Sequence, residues 1–220
     1  MRSIWFAKCA LPVLCLALAG GFVASAESTG QKSITFCQGV DGYDQMLDVE
    51  IWQLAPTTIL NSNPQLTVDE SNGGGESQVL MRFDGIFGTK EKQIPPGSTI
   101  VSARLEVSAF DQGDTVHVHR MLVPFGKAPT WNKMVSGISA DDQEAMRGSE
   151  TFTFGKISAA ITFIPFEVTN TVQAWSNGAE NHGWAFMNIG GNGWDFYASD
   201  FDKPAQRPRL VVKFIPPAAR

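Results

Sequence analysis

Cysteine is scarce in this chain, with Cys9, Cys15 and Cys37 in 220 residues. Two of them fall in the first 26 residues, so a processed chain would hold Cys37 alone and no internal disulfide could staple the fold. Cys37 lies in the strand-like run Ile34-Thr35-Phe36-Cys37 and reads as a small buried hydrophobe. Histidine is nearly absent too, at three residues. There is no Gly-x-Ser-x-Gly elbow, no His-Glu-x-x-His and no phosphate-binding glycine loop. Those gaps leave no recognisable catalytic constellation. Positive charge is also in deficit, with 17 basic against 22 acidic residues. An acidic chain is a poor partner for nucleic acid or for other polyanions.

Long apolar runs are missing with one exception. Arg2 and Lys8 precede an apolar stretch from Ala10 to Val23, followed by Ala24-Ser25-Ala26. This reads as a secretory signal of residues 1–26 with a small-x-small cleavage site, too short to span a bilayer comfortably. Its removal would take away two bases and leave the chain still more acidic. The expected product is one β domain over residues 27–220, secreted to the periplasm or the medium, with no membrane span.

What is present is a series of short alternating runs broken by Gly, Pro, Asn and Asp. Strands are expected at 34–36, 49–54, 78–83, 100–107, 115–122, 151–154, 161–164, 184–189, 194–198 and 210–215. Asn72-Gly73-Gly74-Gly75 reads as a flexible loop. Asp111-Gln112-Gly113-Asp114 reads as a hairpin turn, and Gly190-Gly191-Asn192-Gly193 links two strands. Val168, Val172 and Trp175 share one face of a short helix, with Asn170 and Gln173 in a capping pattern and Gly178 as its stop. Ser139 to Met146 is a second helix candidate, acidic in its first turn. The whole reads as all-β, an antiparallel jelly-roll β-sandwich with one or two short helices.

The order of several motifs resembles the DNRLRE domain, also classed as carbohydrate-binding module family 96. The matching stretches are Gly42-Tyr43 with Asp48 in the next strand, Leu80-Met81-Arg82-Phe83-Asp84, Ile94-Pro95-Pro96-Gly97-Ser98-Thr99-Ile100-Val101-Ser102-Ala103-Arg104-Leu105, Val116 to Val123, Pro129-Thr130-Trp131-Asn132, Gln173-Ala174-Trp175, Asn177-Gly178 and Arg207-Pro208-Arg209-Leu210. Residues 51–75 and 137–155 depart from the pattern. The resemblance implies a secreted jelly-roll module associated with glycan-active enzymes, and some relatives bind acidic glycans such as alginate. The acidic charge of this chain favours a neutral or cationic polysaccharide instead.

Sugars are gripped by aromatic rings against their apolar faces and by polar groups at their hydroxyls. Trp184 and Trp194 flank the Gly190–Gly193 link with Tyr197 nearby, and Trp52 lies on an alternating strand with Glu50 and Leu54. These four are the expected carbohydrate contacts. Trp175 and Trp131 read as structural. Asp41, Asp44 and Asp48 are spaced so that they could hold a structural calcium, with a solvated acidic loop as the plainer reading. His117 and His119 share a strand face at a metal-binding spacing, though no third ligand lies near them in sequence. No other cofactor is expected. The reading of function is a non-catalytic polysaccharide-binding module. Its alternative is a cell-surface structural or adhesion module that binds an envelope protein. A hydrolase using a pair of carboxylates is the third possibility.

Overall fold

The computed structural model describes residues 30–152 and 162–218. The expected signal segment 1–26 lies outside them, as do Thr153, Phe154 and Ile161 of two expected strands. Eleven strands occur among the described residues: β1 (Lys32–Cys37), β2 (Met46–Trp52), β3 (Gln65–Asn72), β4 (Gly75–Phe83), β5 (Thr99–Asp111), β6 (Thr115–Arg120), β7 (Thr151–Phe152), β8 (Thr162–Glu167), β9 (Trp184–Ile189), β10 (Trp194–Tyr197) and β11 (Arg209–Ile215). One helix, α1 (Thr169–Ser176), and a 3-10 turn at Pro204–Gln206 complete the list. No helix of the described residues is long and apolar enough to cross a membrane.

All strand pairs are antiparallel, and the fold is an all-β sandwich. One sheet runs β1-β11-β5-β10-β3, with β8 on the other edge of β5. The second runs β2-β4-β9-β6-β7. Strand β3 belongs to both. Its first half, Gln65 to Val68, pairs with β10, and its second half turns back on β4. The turn is Gly73-Gly74, with φ of 65° and 97°. Both values lie in the left-handed region that glycine alone enters freely, so the expected flexible loop is a tight hairpin.

The expected hairpin at Asp111–Asp114 and the expected link at Gly190–Gly193 are both sheet crossings. Asp111–Asp114 joins β5 of the first sheet to β6 of the second, and Gly190–Gly193 joins β9 of the second to β10 of the first. The two crossings lie side by side. Asp114 N donates to the Asn192 carbonyl at 2.7 Å, and a Cβ on Gly113 would stand 2.1 Å from that same oxygen.

The core follows from alternation. Ala103, Leu105, Val107 and Ala109 of β5 point inward and meet Val79, Met81 and Phe83 of β4 from the opposite sheet. Trp184, Phe186, Trp194 and Phe196 fill the space between. A second apolar cluster covers the outer face of the β2-β4-β9-β6-β7 sheet. There Val49, Ile51, Leu80 and Ala185 are roofed by Met121, Phe125, Trp131, Met134 and Ile138 of the long segment after β6. Trp131 is therefore structural, as expected. The same segment contains the expected helix at 139–146, which is a run of turns. Asp141 and Asp142 spend their carboxylates on Gln143 N and Arg147 N, local bonds that compete with helix formation.

Helix α1 is where the sequence placed it, with Val172 and Trp175 buried and Gly178 at φ 104° beyond its end. Its cap differs. Val168 occupies the N-cap without a side-chain bond. Glu150, from the segment before β7, accepts from Thr171 N at 2.7 Å and from Thr171 Oγ1. Gln173 reaches sideways instead, accepting from Ile100 N at 2.7 Å and donating to Ser98 O. Cys37 is buried and free, its thiol 3.7 Å from the Pro204 carbonyl. Burial pushes that thiol's pKa up, against the pull of Arg207 and Arg209.

Candidate functional site

The expected tryptophan platform does not exist on the surface. Trp184 is 0% exposed and Trp194 1%. Alternation explains both. Trp184 shares its face with Phe186, and Trp194 with Phe196, and those faces point between the sheets. Each indole N–H is also engaged, Trp184 Nε1 with Glu150 Oε2 at 3.4 Å and Trp194 Nε1 with Asp114 O at 2.7 Å. Trp52 is half-buried, its Nε1 donating to Asn72 O at 3.2 Å, which ties it to the β3–β4 hairpin.

Tyr197 is on the opposite face of β10, half-exposed, and it is not alone. Its ring stacks on Phe201 with centroids 3.8 Å apart and planes at 20°. Phe110, at the end of β5, packs against the Tyr197 ring at 4.8 Å and 38°. All three rings are partly open to solvent. They form an aromatic shelf on the outside of the first sheet, where β5 and β10 meet with a register shift at Asp195 and Phe196.

The shelf is braced from below by groups the sequence suggested for other work. Asp48, on β2, is 3% exposed. Its carboxylate accepts from Ser199 N and Ser199 Oγ, each at 2.7 Å, and so fixes the turn that carries Phe201. Arg207 Nε donates to the Phe201 carbonyl at 2.6 Å, closing the same turn. Asp48 is therefore turned inside, whereas Asp41 and Asp44 are exposed. The three expected calcium ligands do not converge. Among the described residues no group of three or more His, Cys, Asp or Glu side chains is arranged to hold a metal ion.

Glu50, two residues along β2 on the same side as Asp48, accepts from Thr67 N at 3.1 Å, while Thr67 Oγ1 donates to Asp195 at 2.6 Å. Burial raises the pKa of Asp48 to about 6 and that of Glu50 to about 7, with Asp195 adding to the latter. Paired acids with raised pKa values can mark general acid–base sites. Here each carboxylate is committed to a backbone N–H, Asp48 to that of Ser199 and Glu50 to that of Thr67. Asp195, Asp200 and Asp202 flank the shelf along the chain, with Lys203 beyond them, so its surroundings are predominantly acidic.

The two strand histidines differ in exposure, with His117 only partly covered. His119 is buried, and its Nδ1 lies 2.9 Å from the Met146 carbonyl, which requires the proton on that nitrogen. His117 Nδ1 lies 3.1 Å from Ser149 Oγ. Burial lowers both pKa values.

A second concavity, of about 630 Å³, lies at the other end of the first sheet. Ser33, Ile34, Thr35 and Phe36 form one wall, residues 40–43 with Gln45 the floor, and Lys90 to Gln93 with Gly85 the far side. Tyr43 stands in it, edge-on to Phe36 at 5.3 Å, its hydroxyl donating to Asp84 O at 3.0 Å. Neither Phe110 nor Phe201 stood out in the sequence. The signal for Phe110 was its phase: on β5 it is out of step with Ala103, Leu105, Val107 and Ala109, which marks it as outward.

No family model matches the chain, and no curated protein matches it.

Proposed function

We propose that this chain is an exported, non-catalytic carbohydrate-binding module that holds a neutral polysaccharide across Phe110, Tyr197 and Phe201. The observation that carries the reading is the stacked, part-exposed trio of rings on a sheet surface. The ring edges and faces that this packing leaves open offer apolar surface to a sugar, and Asp195 and Thr67 stand beside them for hydroxyls. The aspartates along the chain disfavour an acidic glycan by like-charge repulsion. Export rests on the pattern of residues 1–26, and the DNRLRE-like order of motifs agrees with a glycan-binding role.

Affinity electrophoresis in gels containing a soluble neutral glucan, mannan or xylan, with alginate as the acidic control, tests this. Retardation by a neutral glycan is expected, reduced roughly tenfold in Tyr197→Ala and Phe201→Ala. Calcium or a chelator should change nothing, because Asp48 is occupied by Ser199. No retardation by any glycan, or retardation indifferent to both substitutions, would overturn the assignment.

One observation favours the alternative reading as a protein-binding surface module. The loops 53–61 and 127–135 are zipped by Asn132 N to Pro56 O at 3.0 Å and Asn61 Nδ2 to Lys127 O at 2.6 Å. They expose Leu54, Ile59 and Val135, the last 76% exposed at φ 56°. A β-branched residue in that region is strained, as functional surfaces often are. Val135→Asp would abolish a protein complex under this reading and leave glycan retardation intact.

A further inference from the structure

We infer that the groove beside β1 is a strand-addition site, which receives an extended peptide segment of a partner protein as an extra strand on the first sheet. This goes beyond glycan binding and uses none of the residues of the aromatic shelf.

Ser33, Ile34, Thr35 and Phe36 are four consecutive residues. Side chains alternate across a strand, so a cavity against one face of β1 would meet every second residue. A wall of four in a row is the strand's edge. Among the described residues β1 pairs with β11 alone, in register from Lys32 opposite Phe214 to Cys37 opposite Arg209. Among the described residues nothing pairs with its outer edge, whose outward backbone N–H and C=O groups face the groove. Such an edge is a template for another strand unless something blunts it.

The core beside it is unfinished in the matching way. Phe36 is buried, but Ile34, on the same face, is only partly covered, and so is Tyr43. A strand laid along β1 would extend the inner face of the sheet over Ile34. It would run about 13 Å along the four residues, at roughly 3.3 Å per residue.

The far side decides the occupant. Gly85 and Lys90 to Gln93 face β1 across the groove, and Lys92 Nζ donates to Asp41 O at 2.7 Å, fixing that loop over the floor. One extended chain needs only the space between the β1 edge and that loop. A second copy of the protein would have to bring a whole sheet edge, and the loop stands in its way. The rim carries Lys90 and Lys92 against Asp41 and Glu91. Charges of both signs select no strong net charge, so recognition falls to the backbone and to apolar side chains alternating toward Ile34 and Tyr43.

The test uses the full chain and a displayed library of random heptapeptides. Enriched peptides should alternate apolar and polar residues. Binding should slow amide hydrogen exchange roughly tenfold at those of residues 33–36 whose N–H points into the groove, and leave β6 unchanged. N-methylation of the peptide at alternate residues of one register should remove binding, while the other register tolerates it, since one edge of an added strand is used. Tyr197→Ala should leave peptide binding intact, so failure of the glycan reading and failure of this one are distinguishable. Absence of any enriched peptide, protection away from β1, or equal tolerance of both methylation registers would overturn the proposal. So would a dimer by native mass spectrometry that the peptide does not dissociate, which would make a second copy the occupant.

Discussion

Glu50 and Asp48 place two carboxylates where burial opposes their charge. In the unfolded chain both ionise near the ordinary carboxylate pKa of about 4. The folded protein then binds more protons than the unfolded one between that value and about 7. Their contribution to stability is thus complete below about pH 4 and is lost as pH rises through about 6 for Asp48 and about 7 for Glu50. His117 and His119, with lowered pKa values, act oppositely and lose stability as pH falls below about 6.5. The clear window for Glu50 is therefore about pH 6.5 to 7.5, in which the melting temperature should fall with rising pH. Glu50→Gln should flatten that fall, and an unchanged slope in thermal melts would refute the assignment. The shelf was half-legible at this scale. Asp195 and Tyr197 alternate with Trp194 and Phe196, and the polar aspartate marks the outward side. Counting tryptophans pointed inward, whereas following the phase of the aspartate would have led to Tyr197. Phe201 was not legible, since its place depends on Asp48 reaching Ser199 across 151 residues.

Helix α1 shows how one element depends on another. Glu150 takes the place of a local cap, bonding Thr171 N and Oγ1 at the helix start and standing 3.4 Å from Trp184 Nε1. Glu150→Ala should cost about 1–2 kcal/mol, read as a lowered midpoint in urea with an unchanged slope. Replacement by Gln should recover part of the loss. An alanine variant as stable as the parent would show the cap to be dispensable. The helix itself was legible because its apolar spacing is local, and its capping partner was not, lying 21 residues away. The strands were read for the same reason, with one omission. In β3 only Leu66 and Val68 are buried apolar residues, because the strand leaves one sheet and enters the other within eight residues. A strand shared between sheets shows half of the usual alternation to each. The turns at Asp111–Asp114 and Gly190–Gly193 were recognised as turns. Whether such a turn returns to the same sheet depends on pairing partners far along the chain, which local composition does not encode.

At the scale of the molecule, β11 is the keystone. It lies between β1 and β5, so residues near both termini of the described chain are joined through one strand. Non-local pairing of this kind is slow to form, because loop closure must precede its contacts. A chain ending at Pro208 should lose its cooperative thermal transition in circular dichroism, since β1 and β5 would both lose a partner. Retention of a sharp transition would show that the rest of the sandwich folds without it.

Cys37 sits at the end of β1, with its thiol held beneath the turn at Pro204. Sulfhydryl reagents attack the thiolate, and burial suppresses it here, so the modification rate of this residue is a clock for the parting of β1 from β11. The same chemistry serves as a count. In denaturant, a thiol titration finds three reactive groups on a polypeptide that retains Cys9 and Cys15, and one on a polypeptide processed after Ala26. A single slow-reacting thiol in protein recovered from outside the cell would report maturation and strand opening in one tube.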